Sequence, residues 1–313
     1  MYMDIYYLLF LQNIRNSLGG VFDSFFAFIT QISVGVYILL IPLFIYWAID
    51  KRKGLFIYCT YGLGNYFNAL LKSTFCVYRP WIRDPRIKPL ESVMSGATGY
   101  SFPSGHATNA GSTYLPLAHK YKKHKALVVM CMIMIVLTMF SRNFVGVHTL
   151  SDVLVGMLIG IVSLFIIIKV EKYIEDNPNK DIYVLIFATL MVIGILLYVS
   201  FKSYPLDYVD EKLLVDPEKM KRNSFTCPGL FYGTVIAWFL ERRYLKLDIS
   251  GTPYQKIMRC VIGAFILVAW QNIVYSGIGG LVNTNFFSFL LQVCEPIIFV
   301  FIYPLTWKKL HLK

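Results

Sequence analysis

Long apolar segments alternate with short polar segments along most of the chain. Each apolar segment is near the length that a helix needs to cross about 30 Å of hydrocarbon, although the third and fourth are short. The segments lie near residues 25–49, 54–74, 104–118, 126–141, 151–169, 182–201, 228–244, 257–278 and 286–306. This pattern predicts an all-α fold, a polytopic transmembrane helix bundle of about nine spans.

Composition agrees with a membrane protein. Of the 313 residues, 57% are hydrophobic and 15% are charged. Soluble proteins carry about 25% charged residues, whereas a charged side chain that faces lipid costs a few kcal/mol. The 6 cysteines are too few for a disulfide scaffold in a chain of this length. We therefore exclude the disordered, collagenous, coiled-coil and disulfide-rich classes.

The basic residues are divided unevenly between the two sides of the predicted bundle. Most of the 30 Lys and Arg residues fall in alternate connections and in the C-terminal tail. The positive-inside rule makes these segments cytoplasmic and predicts an outer N-terminus and a cytoplasmic C-terminus. These cytoplasmic bases are the ordinary orientation signal, aided by membrane lipids with anionic headgroups, so the net charge of +12 requires no nucleic acid. Basic residues near 72–88 and at 142 lie on the outer side against this rule, which indicates a local anion.

The first of three outer clusters runs from Lys72 to Pro80. Lys72 and Arg79 are seven residues apart, so they would share one face if the helix continued as far as Pro80, which would end it. Both side chains could instead extend to the lipid headgroups without binding a ligand.

The second cluster runs from Gly99 to His106 and contains Pro103-Ser104-Gly105-His106. Pro103 suits the first turn of a helix, and helix N-termini bind anions through unpaired N–H groups. Ser104 and the Gly105 N–H would then bind phosphate, with His106 as a proton donor beside it. A plain helix cap with a buried histidine is the alternative.

The third cluster contains Arg142, which we expect in a short outer connection, and His148, four residues before Asp152. A spacing of four puts His148 and Asp152 on one helix face. The carboxylate would fix the tautomer of the imidazole and leave its other nitrogen free to attack. A capping aspartate beside an interfacial histidine would have the same spacing.

Together the three clusters resemble the tripartite signature of the type 2 phosphatidic acid phosphatase superfamily. This superfamily includes lipid phosphate phosphatases, glucose-6-phosphatases and vanadium haloperoxidases. The chain has Lys, six residues and Arg-Pro; then Pro-Ser-Gly-His; then Ser-Arg, five residues, His, three residues and Asp. The resemblance covers about residues 54–170, and each cluster falls at the outer end of a predicted span.

The resemblance implies a role for each residue of the signature. His148 is the expected nucleophile, Asp152 orients it, and His106 is the general acid. The expected phosphate-binding residues are Lys72, Arg79, Ser104, Gly105 and Arg142. Three cations can balance a phosphate monoester, and the sequence offers neither a carboxylate cluster nor a His-x-x-x-His pair as metal ligands. We therefore expect no metal and no other cofactor.

The implied function is that of an integral membrane phosphatase, a phosphoric monoester hydrolase. Its substrate would be a lipid phosphate monoester or a lipid diphosphate, hydrolysed through a phosphohistidine intermediate. The protein would be a multi-pass protein of the cell membrane, with its site on the extracytoplasmic or lumenal side. A sugar phosphatase similar to glucose-6-phosphatase and a lipid phosphotransferase stay open as alternatives. Haloperoxidase chemistry is disfavoured because those relatives are soluble, and a non-catalytic scaffold is disfavoured because the signature is intact.

Three regions are expected along the chain. Residues 1–23 form a short amphipathic segment on the membrane, residues 24–205 form the phosphatase core, and residues 206–313 form an extension with about three further spans. Nine spans with an outer N-terminus resemble the sphingosine-phosphate phosphatase and glucose-6-phosphatase branches. Within the extension, Gly229 and Gly233 have a spacing that allows close helix packing, which leaves a homodimer open.

Overall fold

The computed structural model of the protein describes residues 2–209, 211–282, 284–307, 310 and 312. Its helices are α1 (Tyr2–Ser17), α2 (Asp23–Ile32), α3 (Gly35–Phe44), α4 (Lys51–Phe75), α5 (Pro80–Arg83), α6 (Glu91–Met94), α7 (Gly105–Lys120), α8 (Lys125–Phe144), α9 (Leu150–Asp176), α10 (Asp181–Phe201), α11 (Pro217–Leu240), α12 (Pro253–Ala269), α13 (Gly279–Val282), α14 (Asn285–Ile297) and α15 (Tyr303–Thr306). Short π-helical segments continue α3, α11, α12 and α14 at Ile45–Ile49, Glu241–Leu245, Trp270–Ile278 and Ile298–Ile302. A small hairpin joins β1 (Tyr208–Val209) and β2 (Lys212–Leu213).

Within these described ranges, 5 helices are long and apolar enough to cross a membrane. They are α8, α9, α10 and the continuous helical segments Pro253–Val282 and Asn285–Thr306. The bent pair Asp23–Ile32 and Gly35–Ile49 makes up to 6 if it forms one span. An all-α membrane bundle is therefore confirmed, whereas the number of nine spans and their orientation stay predictions.

The helices α4, α7 and α11 coincide with the other three predicted spans but are less apolar. Each lies among other helices: α4 packs against α7, α9 and α11, and α11 also packs against α10 and α14. Polar side chains pair across these contacts, as in the bond of 3.1 Å from Asn65 Nδ2 to Asn109 Oδ1 and the bond of 2.9 Å from Asn68 Nδ2 to Thr108 Oγ1. Buried amides need such partners. The polar character of these helices thus follows from their interior position.

Glycines bring α9 into close contact with α7. A Cβ atom at Gly156 would lie 2.6 Å from the backbone oxygen of Ser104, and one at Gly160 would lie 2.7 Å from the backbone carbon of Gly111. A larger residue at either position would force the helices apart, because small residues are what allows backbones to approach this closely. This contact sets the separation between the second and third clusters.

The N-terminal helices and the C-terminal helices share one hydrophobic core. Trp47 Nε1 donates a hydrogen bond of 2.9 Å to the carbonyl of Phe299, and Tyr46 OH donates one of 2.8 Å to the carbonyl of Val300. The buried residues around these bonds form one cluster that includes residues from α3, α4, α7 and α11. The expected boundary between residues 205 and 206 stays a prediction.

The face of α11 that bears Gly229 and Gly233 is covered within the chain. A Cβ atom at Gly229 would lie 2.6 Å from the carbonyl oxygen of Phe289, and one at Gly233 would lie 2.5 Å from that of Val293. Both contacts are with α14. The close packing that the glycine spacing predicts is present, but its partner is not a second copy. This face therefore gives no support to the homodimer, which stays a prediction.

The expected amphipathic segment at the N-terminus forms α1, which packs near the second and third clusters, at Lys88 and Ser151. Arg15 Nη2 donates to the carbonyl of Lys88 at 2.6 Å, and the Lys88 N–H donates to Gln12 Oε1 at 2.6 Å. Ser151 Oγ donates to Asp4 Oδ2 at 2.5 Å. These bonds hold α1 against the first turn of α9 and the connection between α5 and α6.

Candidate active site

The residues of the first cluster do not share a helix. The helix α4 ends at Phe75, Cys76 adopts a left-handed conformation with φ 48°, and Arg79 is extended. Pro80 then begins α5 instead of ending α4. The predicted common helix face is wrong because the chain turns at Cys76. The turn directs the Arg79 side chain into the bundle, where it is buried.

In the second cluster, Ser104 is the N-cap of α7, which begins at Gly105. The Ser104 hydroxyl accepts a bond from the Ala107 N–H at 3.4 Å. Pro103 therefore precedes the helix and does not lie in its first turn, as the sequence had predicted. The N–H groups of Gly105 and His106 belong to the first turn, where N–H groups have no partner within the helix. Such groups are suited to bind an anion.

Two expectations for the third cluster are corrected. Arg142 lies in the last turn of α8 and not in a connection, and His148 precedes α9 and so does not share a helix face with Asp152. The two residues meet through a capping box, in which Thr149 and Asp152 bond to each other's backbone N–H groups. His148 Nδ1 consequently lies 3.4 Å from Asp152 Oδ2. Asp152 is thus both a capping residue and a neighbour of the imidazole.

Hydrogen bonds connect the second cluster to the other two. Lys72 Nζ donates to the carbonyls of Pro103 at 2.8 Å and Tyr100 at 3.0 Å. The Ser104 N–H donates to the carbonyl of Asp152 at 2.9 Å. Lys72 is thereby held against the segment that leads into α7, and the N-terminus of α7 is held against the first turn of α9.

Arg79 connects the first cluster directly to His148. Its Nη1 atom lies 3.0 Å from His148 Nε2 and donates to the carbonyl of Val147 at 2.9 Å. Its Nε atom donates to the carbonyl of Gly99 at 3.0 Å. The imidazole therefore has Arg79 at Nε2 and Asp152 on the side of Nδ1.

The site contains more buried positive charge than negative charge. Arg79 and Arg142 are 5% and 1% exposed, and Lys72 is half-buried near them. Among the described residues, no carboxylate forms an ion pair with any of these three cations, and Arg142 Nε has no hydrogen-bond partner. A buried, unpaired guanidinium is costly unless an anion joins it. The arrangement therefore suits a phosphate group.

The electrostatic environment also favours a neutral imidazole at His148. Burial, with the charges of Arg79 and Arg142, holds the pKa of His148 well below its ordinary value. Near neutral pH Nε2 then keeps its lone pair, which faces Arg79 Nη1 in this structure, and an uncharged imidazole is the state that a nucleophile needs. Burial lowers the pKa of Arg79 to about 10, so this residue keeps its charge. The half-buried His106 is close enough to Arg142 and His148 to interact with both.

The motifs alone did not identify two residues that hold His148. Ser101 Oγ donates to Asp152 Oδ2 and lies 3.3 Å from His148 Nδ1. Asn143 Nδ2 donates to the carbonyl of His148 at 2.9 Å. The signals in the sequence are that Ser101 lies two residues before the Pro-Ser-Gly-His motif and that Asn143 is the first of the five unspecified residues inside the third motif.

A cavity of about 420 Å³ lies beside the third cluster. Its lining residues are Asp4, Cys76, Val77, Tyr78, Arg83, Phe102, Thr149, Ser151 and Asp152. Asp152 borders the candidate nucleophile, whereas Val77 and Phe102 contribute an apolar wall. The ring of the exposed Phe75 packs edge-on against Phe102, with 5.4 Å between centroids, and extends this apolar surface. The cavity therefore suits a ligand that is partly apolar.

Comparison with known families identifies the superfamily. Residues 53–176 match the model of the PAP2 superfamily, and residues 225–313 match the model described as PAP2 superfamily phosphatase, transmembrane extension. Together the two matches cover more than half of the chain. The protein belongs to the PAP2 superfamily. All three clusters lie within the first match, and α11, α12 and α14 form most of the second.

Several curated PAP2 relatives are similar to this chain. Phosphatidylglycerophosphatase B of Bacillus subtilis is 30% identical over 135 residues, which cover 41% of this chain and 62% of that protein. Dihydrosphingosine 1-phosphate phosphatase of Schizosaccharomyces pombe is 25% identical over 290 residues, 88% of this chain and 67% of that protein. Sphingosine-1-phosphate phosphatase 1 of Mus musculus is 29% identical over 251 residues, 76% of this chain and 56% of that protein. The chain thus spans less than two thirds of the first relative. No solved structure matches it.

If Arg142 binds the anion, the variant Arg142→Gln should bind orthovanadate at least about tenfold more weakly than the wild type. The reason is that a hydrogen bond to a charged group contributes about 1.5–3 kcal/mol, and about 1.4 kcal/mol corresponds to a factor of ten. Isothermal titration of the detergent-purified protein measures this affinity. The variant Arg52→Gln, at an exposed position, is the control and should bind like the wild type. Equal affinity of Arg142→Gln and the wild type would remove Arg142 from the site.

Proposed function

We propose that this protein is an integral membrane phosphatase that hydrolyses a lipid phosphate monoester through a phosphohistidine intermediate, without a metal. The observation that carries the proposal is the buried His148 imidazole, with Asp152 beside Nδ1 and Arg79 beside Nε2. A neutral imidazole so oriented has a nucleophilic nitrogen directed at the cations that would hold a phosphate.

The proposed reaction has two steps. First, His148 Nε2 forms a bond to phosphorus while the bond from phosphorus to the lipid oxygen breaks, and His106, in its imidazolium form beside the bound phosphate, gives a proton to the departing oxygen and becomes neutral. The proton on His148 Nδ1 stays in place, near Asp152. Then water attacks phosphorus and gives a proton to His106, and the P–N bond breaks to release inorganic phosphate. Two easier displacements thus replace one difficult displacement.

The cations Lys72, Arg79 and Arg142 supply the electrostatic stabilisation in this proposal. Phosphoryl transfer places negative charge on the non-bridging oxygens, and fixed positive charges in a site that excludes water stabilise it strongly. Ser104 and the Gly105 N–H, at the N-terminus of α7, would contact the same oxygens. These groups provide the charge for which many other phosphatases use a divalent ion.

A lipid is favoured over a sugar as the substrate. The cavity beside Asp152 has the apolar wall formed by Val77 and Phe102 and continued by Phe75, which suits a hydrocarbon chain better than a row of hydroxyl groups. Two of the relatives, similar over most of this chain, are sphingoid-base phosphate phosphatases by name. A lipid phosphate monoester is therefore the best supported substrate class.

We further propose nine spans, with the N-terminus outside, the C-terminus in the cytoplasm and the site on the extracytoplasmic or lumenal side. The helices α4 and α8 end at the site, whereas α7 and α9 begin there, as expected for neighbours that cross the membrane in alternating directions. The basic segments Lys51–Lys53 and Lys120–Lys125 lie at the other ends of α4, α7 and α8. The positive-inside rule makes that end cytoplasmic.

The activity is tested by measuring phosphate release from sphingosine 1-phosphate, phosphatidate and glucose 6-phosphate by the purified protein in the presence of EDTA. We expect turnover of the lipids, a preference over glucose 6-phosphate, and no loss of activity with EDTA. His148→Ala should lose about 10³-fold or more in kcat, because removal of a nucleophile removes the covalent pathway.

The variant His124→Ala is the matched control, since His124 is exposed in the connection between α7 and α8. It should keep wild-type turnover. If His148→Ala kept more than a tenth of wild-type kcat, the nucleophile would be misassigned. A preference for glucose 6-phosphate would instead contradict the lipid assignment.

The orientation is tested with single cysteines in a variant that lacks the native ones. Glu91→Cys and Lys123→Cys lie at opposite ends of the bundle, and both positions are exposed. An impermeant maleimide applied to intact cells should label the cysteine at 91 if the protein is in the cell membrane, whereas the cysteine at 123 should require permeabilisation. The reverse pattern would contradict the proposed topology.

A further inference from the structure

We propose that Ser101 is a positioning residue, whose hydroxyl group transmits the orienting effect of Asp152 to the His148 imidazole. The inference rests on the proposed function, because it assigns a task within the same reaction. It adds a fourth member to the group formed by His148, Asp152 and His106, from a position outside the signature motifs.

The distances around His148 Nδ1 carry the inference. Nδ1 lies 3.4 Å from Asp152 Oδ2 and 3.3 Å from Ser101 Oγ. Both distances exceed the usual range of about 2.7–3.2 Å for an N–H···O bond. Asp152 alone therefore holds the ring only weakly, and the Nδ1 proton is shared between the carboxylate and the hydroxyl.

A hydroxyl group at this position can accept one hydrogen bond and donate another at the same time. Ser101 Oγ donates to Asp152 Oδ2, so its lone pairs are directed to accept from His148 Nδ1. The result is a continuous path from the imidazole through the hydroxyl to the carboxylate. Charge that develops on the ring when Nε2 attacks phosphorus is then stabilised by Asp152 both directly and through Ser101.

The backbone of Ser101 is fixed well enough for this task. Its side chain is 0% exposed, and its N–H donates to the carbonyl of Val77 at 2.7 Å. Lys72 Nζ lies 3.4 Å from its carbonyl and 2.8 Å from that of Pro103. The same short segment thus contacts a phosphate-binding candidate through its backbone and the nucleophile candidate through its side chain.

Asp152 is held by the same arrangement. Its Oδ2 atom accepts from the Thr149 N–H at 2.8 Å as well as from Ser101. The capping box fixes the carboxylate relative to α9, whereas Ser101 fixes it relative to the segment before α7. Loss of the Ser101 hydroxyl should therefore leave α9 intact and release the imidazole ring.

The test compares Ser101→Ala, Ser101→Thr, Asp152→Asn and the double variant Ser101→Ala/Asp152→Asn, each purified and assayed on the substrate that the wild type turns over best. Misplacement of a reacting group costs up to about 100-fold. We expect Ser101→Ala to lower kcat between about 10-fold and 100-fold while KM and the affinity for inorganic phosphate, which needs no bond to His148, stay unchanged. Ser101→Thr, which keeps the oxygen atom, should recover most of kcat.

The double variant separates positioning from a structural role. If Ser101 acts through Asp152, then Ser101→Ala should cost much less kcat in the Asp152→Asn background than in the wild type. The variant Ser112→Ala removes another fully buried hydroxyl, which bonds to the Thr108 carbonyl at 2.7 Å, and is the control for loss of packing. It should keep wild-type kcat.

Three results would overturn the inference while the proposed function stands. The first is wild-type kcat in Ser101→Ala, and the second is an equal loss of kcat from Ser101→Ala in both backgrounds. The third is a loss of affinity for inorganic phosphate in step with kcat, which would indicate a binding role and not a positioning role. A wild-type protein that releases no phosphate from any ester would instead overturn the proposed function, and the inference with it.

Discussion

Positive charge that is buried without an equal amount of negative charge is the constraint on which this structure depends. Arg79 and Arg142 are almost fully buried, and Lys72 lies close to them. The carboxylate of Asp152 faces the imidazole of His148 in the same site. Protein groups satisfy part of this charge, because Lys72 and Arg79 donate to backbone carbonyls. The rest favours a ligand with about two negative charges, and a phosphate monoester has that charge near neutral pH.

The helix packing makes this concentration of charge possible. Gly156 and Gly160 allow α9 to approach α7 closely, so that the third cluster meets the second. The capping box of α9 then directs Asp152 towards His148, and the turn at Cys76 brings Arg79 to the same imidazole. In the interior of the bundle, polar side chains of α4 pair with those of α7 and α11. The turn at Cys76 and the capping box of α9 thus bring the residues of the site together.

The sequence predicted the helical membrane class, the family and the identity of the clustered residues, because apolar length and motif order are local properties. It placed Pro80, Pro103 and Arg142 incorrectly relative to the helix ends, since spacing alone does not determine where a helix stops. It also missed Ser101, whose partner Asp152 is 51 residues away. Such a contact depends on how α7 packs against α9, and no local pattern encodes it. The spacing of Gly229 and Gly233 correctly predicted close helix packing, but the helix that packs there is α14 of the same chain and not a second copy.

The most direct test of the account is a search for the covalent intermediate. The purified protein is mixed with a phosphate-labelled lipid substrate, quenched within milliseconds under alkaline conditions that preserve phosphohistidine, digested and examined by mass spectrometry. The account predicts phosphate on His148, and none at this residue when His148→Ala is treated in the same way. Turnover without any phosphorylated residue, or phosphate carried by a different side chain, would contradict the proposed role of His148.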